Sequence, residues 1–251
     1  MSAWTQHVAR WRDCVDCPLA MQRDRICLAR GNVPADVVFI GEAPGQSEDA
    51  LGKPFCGPAG KLLDQIIWNA LPTGTTHALT NLVACFPKDA KERGENEPDH
   101  DEILACRQRL VEFVRVSQPR LIVLVGALAK RYVLGAAMFR LDNADEQPEW
   151  IPEGAVLEFL EIMHPAHILR KDVPLAKKQS MVTHGTVTLR TAVENIVESL
   201  ERYPKVSWTP TIGEKTRAHV KTSKREHVQG EPRRDFDDWH HTFGNDTDIP
   251  F

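Results

Sequence analysis

The sequence predicts an α/β domain, a mainly parallel sheet with helices on both faces. Three observations carry this reading. Short β-branched and apolar runs recur at 36–40, 120–126 and 156–163, and the middle run (RLIVLVG) is apolar on both faces, as a strand covered on both sides must be. Segments of helical period lie between these runs. The first run leads through a Gly- and Pro-rich loop into a helix, the order of a strand–helix–strand unit.

Taken in order, 36–40 (DVVFI) reads as a buried parallel strand. In the loop 41–57 (GEAPGQSEDALGKPFCG), Gly41 and Gly45 allow a sharp turn and close approach to a ligand, and Pro44 stiffens the turn between them. The loop carries Glu42, Glu48 and Asp49, and sets Phe55 between Pro54 and Gly57. Pro58 suits the first position of a helix running to about Ala70. A second strand is expected over 78–84, followed by a polar loop (KDAKERGENEPDHDE) and a helix over about 101–116. After the 120–126 strand, ALAKRYVLG reads as a short helix stopped by Gly135. A surface excursion over 142–152 leads to a fourth strand, 156–163, which ends in MHPAHILRK. Residues 186–202 form a terminal amphipathic helix. Past Tyr203 the apolar periodicity stops and polar residues dominate, so 1–203 is expected to be the folded domain and 204–251 a disordered tail.

Composition narrows the function classes. Hydrophobic content of 42% and charged content of 26% are ordinary for a globular chain, and no apolar run approaches the ~20 residues of a membrane span. The first residues lack an apolar signal core, so a cytoplasmic location without membrane contact is expected, and the chain is expected to act as a monomer. The net charge of −4 is unevenly spread. Residues 231–251 hold six acids and two bases, 204–230 hold six bases and two acids, and 1–203 is itself −4, so charge alone neither requires nor excludes a nucleic-acid partner.

Six cysteines in a reducing compartment are read for metal or redox use rather than as disulfides. Cys14 and Cys17 form a CxxC, Cys85 follows the second strand, and Cys106 lies in the next helix. Four thiolates from a hairpin, a strand end and a helix suit a four-iron cluster or a structural zinc. Cys27 and Cys56 read as buried small residues.

Three strand ends offer polar or aromatic groups where ligands bind in open α/β sheets: the 41–57 loop, Asn81 and His164. The Asn81 amide can both donate and accept, as a base edge requires. His164 can donate to an oxygen gaining negative charge, and Phe55 can stack on a planar ring.

The runs GEAPGQSEDALGKPFCGPAGKLLD, TNLVAC, EPDHDEILAC and HPAHILR, with the CxxC and RICLARGNVPADVVFIGEAPG, resemble in order the motifs of the iron–sulfur uracil-DNA glycosylases called family 4. The resemblance covers about 14–201. It implies a three-layer α/β/α fold with a four-stranded parallel sheet, a [4Fe–4S] cluster on Cys14, Cys17, Cys85 and Cys106, and hydrolysis of the bond between uracil and deoxyribose in DNA. By the same resemblance Phe55 stacks on uracil, Asn81 bonds its polar edge, Glu48 refuses bulk at C5, and His164 faces O2. Glu42 and the amides of Ala43 and Gly45, beside Gly41, shape the pocket and place water. Ile168 or Leu169 supplies an apolar wedge into DNA, and Arg170 a phosphate contact. Cys56 stands where an aliphatic residue is usual, and the loop between Cys85 and Cys106 is long. The alternatives are a glycosylase for another modified pyrimidine and a non-catalytic DNA binder. A branch that traps DNA covalently carries a KRRIH-like run, which is lacking here.

The last residues, DFDDWHHTFGNDTDIPF, resemble the acidic tip of bacterial single-stranded DNA-binding proteins. The resemblance implies docking on proteins that receive that tip, with the Phe251 ring and carboxylate as anchor and Asp246 and Asp248 steering.

Overall fold

The computed structural model describes residues 1–89, 97–135 and 156–204; the excursion at 142–152, most of the polar loop after Lys88, and the tail with its acidic tip lie outside them. Five strands form one sheet: β1 (Arg30–Gly31), β2 (Val37–Gly41), β3 (His77–Asn81), β4 (Leu121–Val125) and β5 (Glu158–Ile162), in the order β1-β3-β2-β4-β5. The last four are mutually parallel, as expected. The addition is β1, two residues paired antiparallel to β3 and too short to leave a periodic signal.

Alternate residues of the central strands feed two cores. Val38, Ile40, Ile122 and Leu124 pack with Ile103, Leu110 and Phe113 of α4 (His100–Ser117) and with Leu128 of α5 (Ala127–Lys130). Val37, Phe39, Leu121 and Val123 pack on the other face with Leu63 and Ile67 of α3 (Pro58–Ala70) and with Leu189 and Val193 of α7 (Leu175–Arg202). Covering both faces makes the three layers and explains why β2 and β4 are unbroken apolar runs.

Two boundaries differ from the sequence expectation by three residues or more, and helix α1 was not expected. The second strand ends at Asn81 rather than 84, although Leu82 N still donates to Gly41 O at 2.9 Å across to β2. The terminal helix starts at Leu175, eleven residues before the expected 186, since its first turns are polar and exposed and carry no apolar stripe. Helix α1 (Ala3–Trp11) was not legible: it is short, capped by Ser2 Oγ accepting from Thr5 N, and buries only His7 and Trp11, against α4. Among the described residues no helix is long and apolar enough to cross a membrane.

Candidate active site

The chain leaves β2 for β3 on one side and later returns to β4 on the other, so the sheet reverses its winding at β2 and β4. Crevices for ligands open beyond the carboxyl ends of strands at such points. Here that end carries Gly41, Glu42 and Asn81, Gly126 after β4, and His164 after β5.

Two glycines bring the candidate side chains together. A Cβ on Gly41 would stand 2.5 Å from Asn81 Oδ1 and closer still to Phe55 Cζ, so ring and amide both lie against bare backbone. Gly126, at φ +98°, does the same on the other side: its Cβ would meet Glu42 Oε1 at 2.7 Å and His164 Cβ at 3.1 Å. The Phe55 and His164 rings face each other with centroids 6.5 Å apart. Glu42, Phe55, Asn81 and His164, drawn from three separate sequence segments, thus come together around Gly41 and Gly126 at this end of the sheet.

Phe55 sits at φ +55°, a region that L-residues with bulky side chains rarely adopt. Arg30 holds it there, donating from Nε to Pro54 O at 2.8 Å and from Nη2 to Phe55 O at 3.1 Å, while Asp64 accepts from the same nitrogen at 2.6 Å. Glu48 closes the loop from inside. Its Oε1 accepts from Gly57 N at 2.7 Å and its Oε2 from Gly45 N at 3.2 Å, joining the two ends of a segment that contains α2 (Gln46–Leu51). The Gly45 amide, expected to help shape the pocket, donates to Glu48. Replacing Glu48 with alanine strands two loop amides, one of them buried, and is expected to cost roughly 1–3 kcal/mol, read by chemical denaturation.

The two titratable groups are shifted in opposite senses by burial. Glu42 is raised to about 7, first by burial and then by the Glu97 carboxylate. His164 is lowered to about 4 by burial and by His167, so the imidazole is neutral at physiological pH. Its Nδ1 accepts from Ala166 N at 3.2 Å, which leaves the proton on Nε2. The site thus offers a neutral N–H donor opposite a carboxyl poised near neutrality. Among the described residues nothing bonds the Asn81 carboxamide, so its donor and acceptor stay open.

Behind the site, Cys14, Cys17, Cys85 and Cys106 line a single cavity with Arg23 and Arg109. Burial, with Cys106, Cys85 and Cys14 nearby, pushes Cys17 up to about 12. Burial likewise lifts Cys85 to about 11, opposed by Arg23, which donates to its sulfur at 3.3 Å. No three His, Cys, Asp or Glu among the described residues are arranged around a single ion, whereas four sulfurs around a common space are the donor set of a group several atoms across. Cys27 is buried as expected; Cys56 is only partly so.

A model of the uracil DNA glycosylase superfamily matches residues 28–184, from just before β1 into α7. The chain belongs to the uracil-DNA glycosylase superfamily. It is 35% identical over 133 residues to a type-4 uracil-DNA glycosylase of Saccharolobus solfataricus, covering 53% of this chain and 59% of that one. It is 28% identical over 162 residues to one of Thermotoga maritima, covering 64% and 80%. A third, from Sulfurisphaera tokodaii, is 36% identical over 121 residues, covering 48% and 53%. The chain thus matches little more than half the length of two of these relatives.

After His164 the two apolar residues differ in exposure. Ile168, the last residue of α6 (Pro165–Ile168), is 2% exposed, whereas Leu169 is 41% exposed. Arg170 is on the surface but paired with Asp172, Nε to Oδ1 and Nη2 to Oδ2 at 3.2 Å each. Three contributors escaped the sequence reading. Gly126 looked like the end of a strand, and Arg30 like a surface base. Arg109, buried behind Asn81, was one more residue of a helix. Only Gly126 left a signal, as a glycine ending the strongest strand.

Proposed function

We propose that the chain hydrolyses the N-glycosidic bond of uracil in DNA, leaving an abasic site. The observation that carries this is the convergence of Asn81, Phe55, His164 and Glu42 at the reversal of the sheet, in a superfamily whose similar members are named type-4 uracil-DNA glycosylases. A base within a duplex is out of reach, so the uracil is flipped out at a cost of a few kcal/mol. Its ring stacks on Phe55, which is stiffened by its turn. The Asn81 carboxamide donates to O4 and accepts from N3–H, a pairing that cytosine cannot return. The Glu48 side chain, fixed by two amides, forms the wall that refuses a C5 methyl. As the bond breaks, uracil leaves as an anion and the sugar gains oxocarbenium character. His164 Nε2–H donates to O2, where the charge develops, and does so as a neutral group that needs no proton taken up first. Glu42 faces the sugar, orienting water and stabilising the cation in its ionised form. Leu169 is the wedge that fills the vacated stack, and the Ala43 amide helps to shape the pocket beside Glu42.

The four cysteines fit a [4Fe–4S] cluster, with Cys14, Cys17, Cys85 and Cys106 as ligands; bound there, it would tie the segment after α1, the segment after β3 and α4 together. The shifts of Glu42 and His164 set the pH profile. The single-turnover rate is expected to rise as pH passes through about 7 and Glu42 loses its proton, and to show no second step from His164 down to about pH 5. Glu42→Gln flattens that rise. A profile that climbs toward acid would contradict these roles.

The tail resembling the acidic tip of single-stranded DNA-binding proteins supplies a second contact, docking on proteins with a basic-rimmed apolar pocket for such a tip. A peptide of residues 235–251 is expected to bind such a partner, and the same peptide without Phe251 to bind far more weakly; equal binding would reject this. The activity itself is tested by incubating iron-loaded protein with a single-stranded oligonucleotide carrying one uracil. Alkali-labile cleavage at that position is expected, and an intact strand would overturn the proposal.

A further inference from the structure

Arg109 is a buried charge that the sequence did not announce. It is 1% exposed, lies one turn beyond Cys106 on α4, and reaches across to the end of β3. Its Nη1 donates to Thr80 Oγ1 at 2.7 Å, and its Nη2 to Asn81 O at 2.6 Å and Leu82 O at 2.9 Å. All of these acceptors are neutral. Among the described residues no carboxylate lies within ion-pair distance of it; Glu112, on the same helix, is taken by His7 and Arg10. Its Nε, also buried, has no partner. A guanidinium cannot shed its proton to escape burial, so an uncompensated one is costly and calls for a negative group nearby. The cysteine cavity is that neighbour, since Arg109 lines it beside Cys85, Cys106 and Arg23.

We propose that Arg109 is a positioning residue that couples the cysteine cavity to Asn81: it takes its counter-charge from the anionic iron–thiolate group held there, and its fork fixes the backbone on which the base-reading amide stands. This rests on the cluster reading above, and gives that group a role beyond holding the fold. Four thiolates carry more negative charge than the iron core they surround carries positive, so an arginine against the cavity both stabilises the loaded state and is itself stabilised by it. The far end of the same guanidinium bonds the carbonyls of Asn81 and Leu82, so loss of the cavity's charge is felt where the amide is aimed.

The test compares the iron-loaded wild type with Arg109→Gln and Arg109→Lys. In Arg109→Gln, chelator bleaching of the visible absorbance is expected to quicken about 10-fold, the usual scale for an outer partner of a metal site. The reduction potential, measured by voltammetry, should shift to more negative values because a positive charge has left. The rate constant kcat for uracil release should fall about 10-fold, with KM changing less. Arg109→Lys keeps the charge without the planar fork, so it should restore the potential but not kcat, a split that a merely structural residue would not produce. If Arg109→Gln fails to fold, hydrogen exchange on the wild type decides instead. Removing iron should speed exchange of the Leu82 and Val83 amides by about 10-fold, while β4 stays protected. An iron-loaded Arg109→Gln with the bleaching rate, potential and kcat of the wild type overturns this inference alone, as does unchanged exchange at Leu82 and Val83 on iron removal. A wild type that binds no iron overturns the cluster reading and this inference with it.

Discussion

Replacing His164 with alanine is expected to lower the single-turnover rate of uracil release by about 10²–10³-fold while leaving oligonucleotide affinity nearly unchanged, because a donor aimed at developing charge acts mainly in the transition state. The imidazole is the group that faces Phe55 across the crevice, and its Nδ1 is already committed to Ala166 N. Only Nε2–H can therefore point at the substrate. Alanine also removes the cap of α6, so a second variant separates the two roles. His164→Asn keeps an oxygen for the Ala166 amide but lacks the reach of the imidazole. It is expected to melt close to the wild type yet lose nearly as much rate. If His164→Asn is active and His164→Ala is merely unstable, His164 is a capping residue and the proposed chemistry lacks its donor.

Gly41→Ala is expected to be nearly as damaging, for a reason that involves no polar group. Gly41 does not sit at positive φ, so alanine strains no backbone there. The added methyl would instead stand 2.5 Å from Asn81 Oδ1 and closer to Phe55 Cζ, and both side chains must give way. Displacing the stacking ring and the base-reading amide by about 1 Å costs on the order of 10²-fold in rate. The variant should therefore fold, keep its iron and fail to turn over. Gly126→Ala adds backbone strain at φ +98° to a clash with Glu42, so it should be the less stable of the two. A Gly41→Ala protein with normal turnover would show that ring and amide do not share the pocket.

Much of this arrangement was legible from the chain because strands buried on both faces leave unbroken apolar runs, and strand ends in parallel sheets are where ligands bind. The 36–40 and 120–126 runs, Asn81, His164 and the loop with Glu42 and Phe55 were all found on that basis. What stayed hidden has physical causes. Gly126 and Gly41 matter for the atoms pressed against them, which periodicity does not report. Arg30 and Arg109 look in sequence like any surface base, yet each spends its guanidinium on backbone carbonyls, and Arg109 is buried to do so. Glu48 was read as a wall of the pocket on family resemblance, while its bonds to Gly45 and Gly57 make it a fastening of the loop. The two roles are compatible, since a carboxylate held at both oxygens is a rigid wall. Ile168 and Leu169 were indistinguishable as letters, and only burial separates them.

The central claim is that these residues form one pocket that selects uracil and releases it. The most direct measurement is the free base liberated by iron-loaded protein from single-stranded oligonucleotides that each carry one uracil, thymine or cytosine, identified by mass. Release of free uracil alone is the expected result. No free base from any of them, or thymine released as readily as uracil, would contradict it.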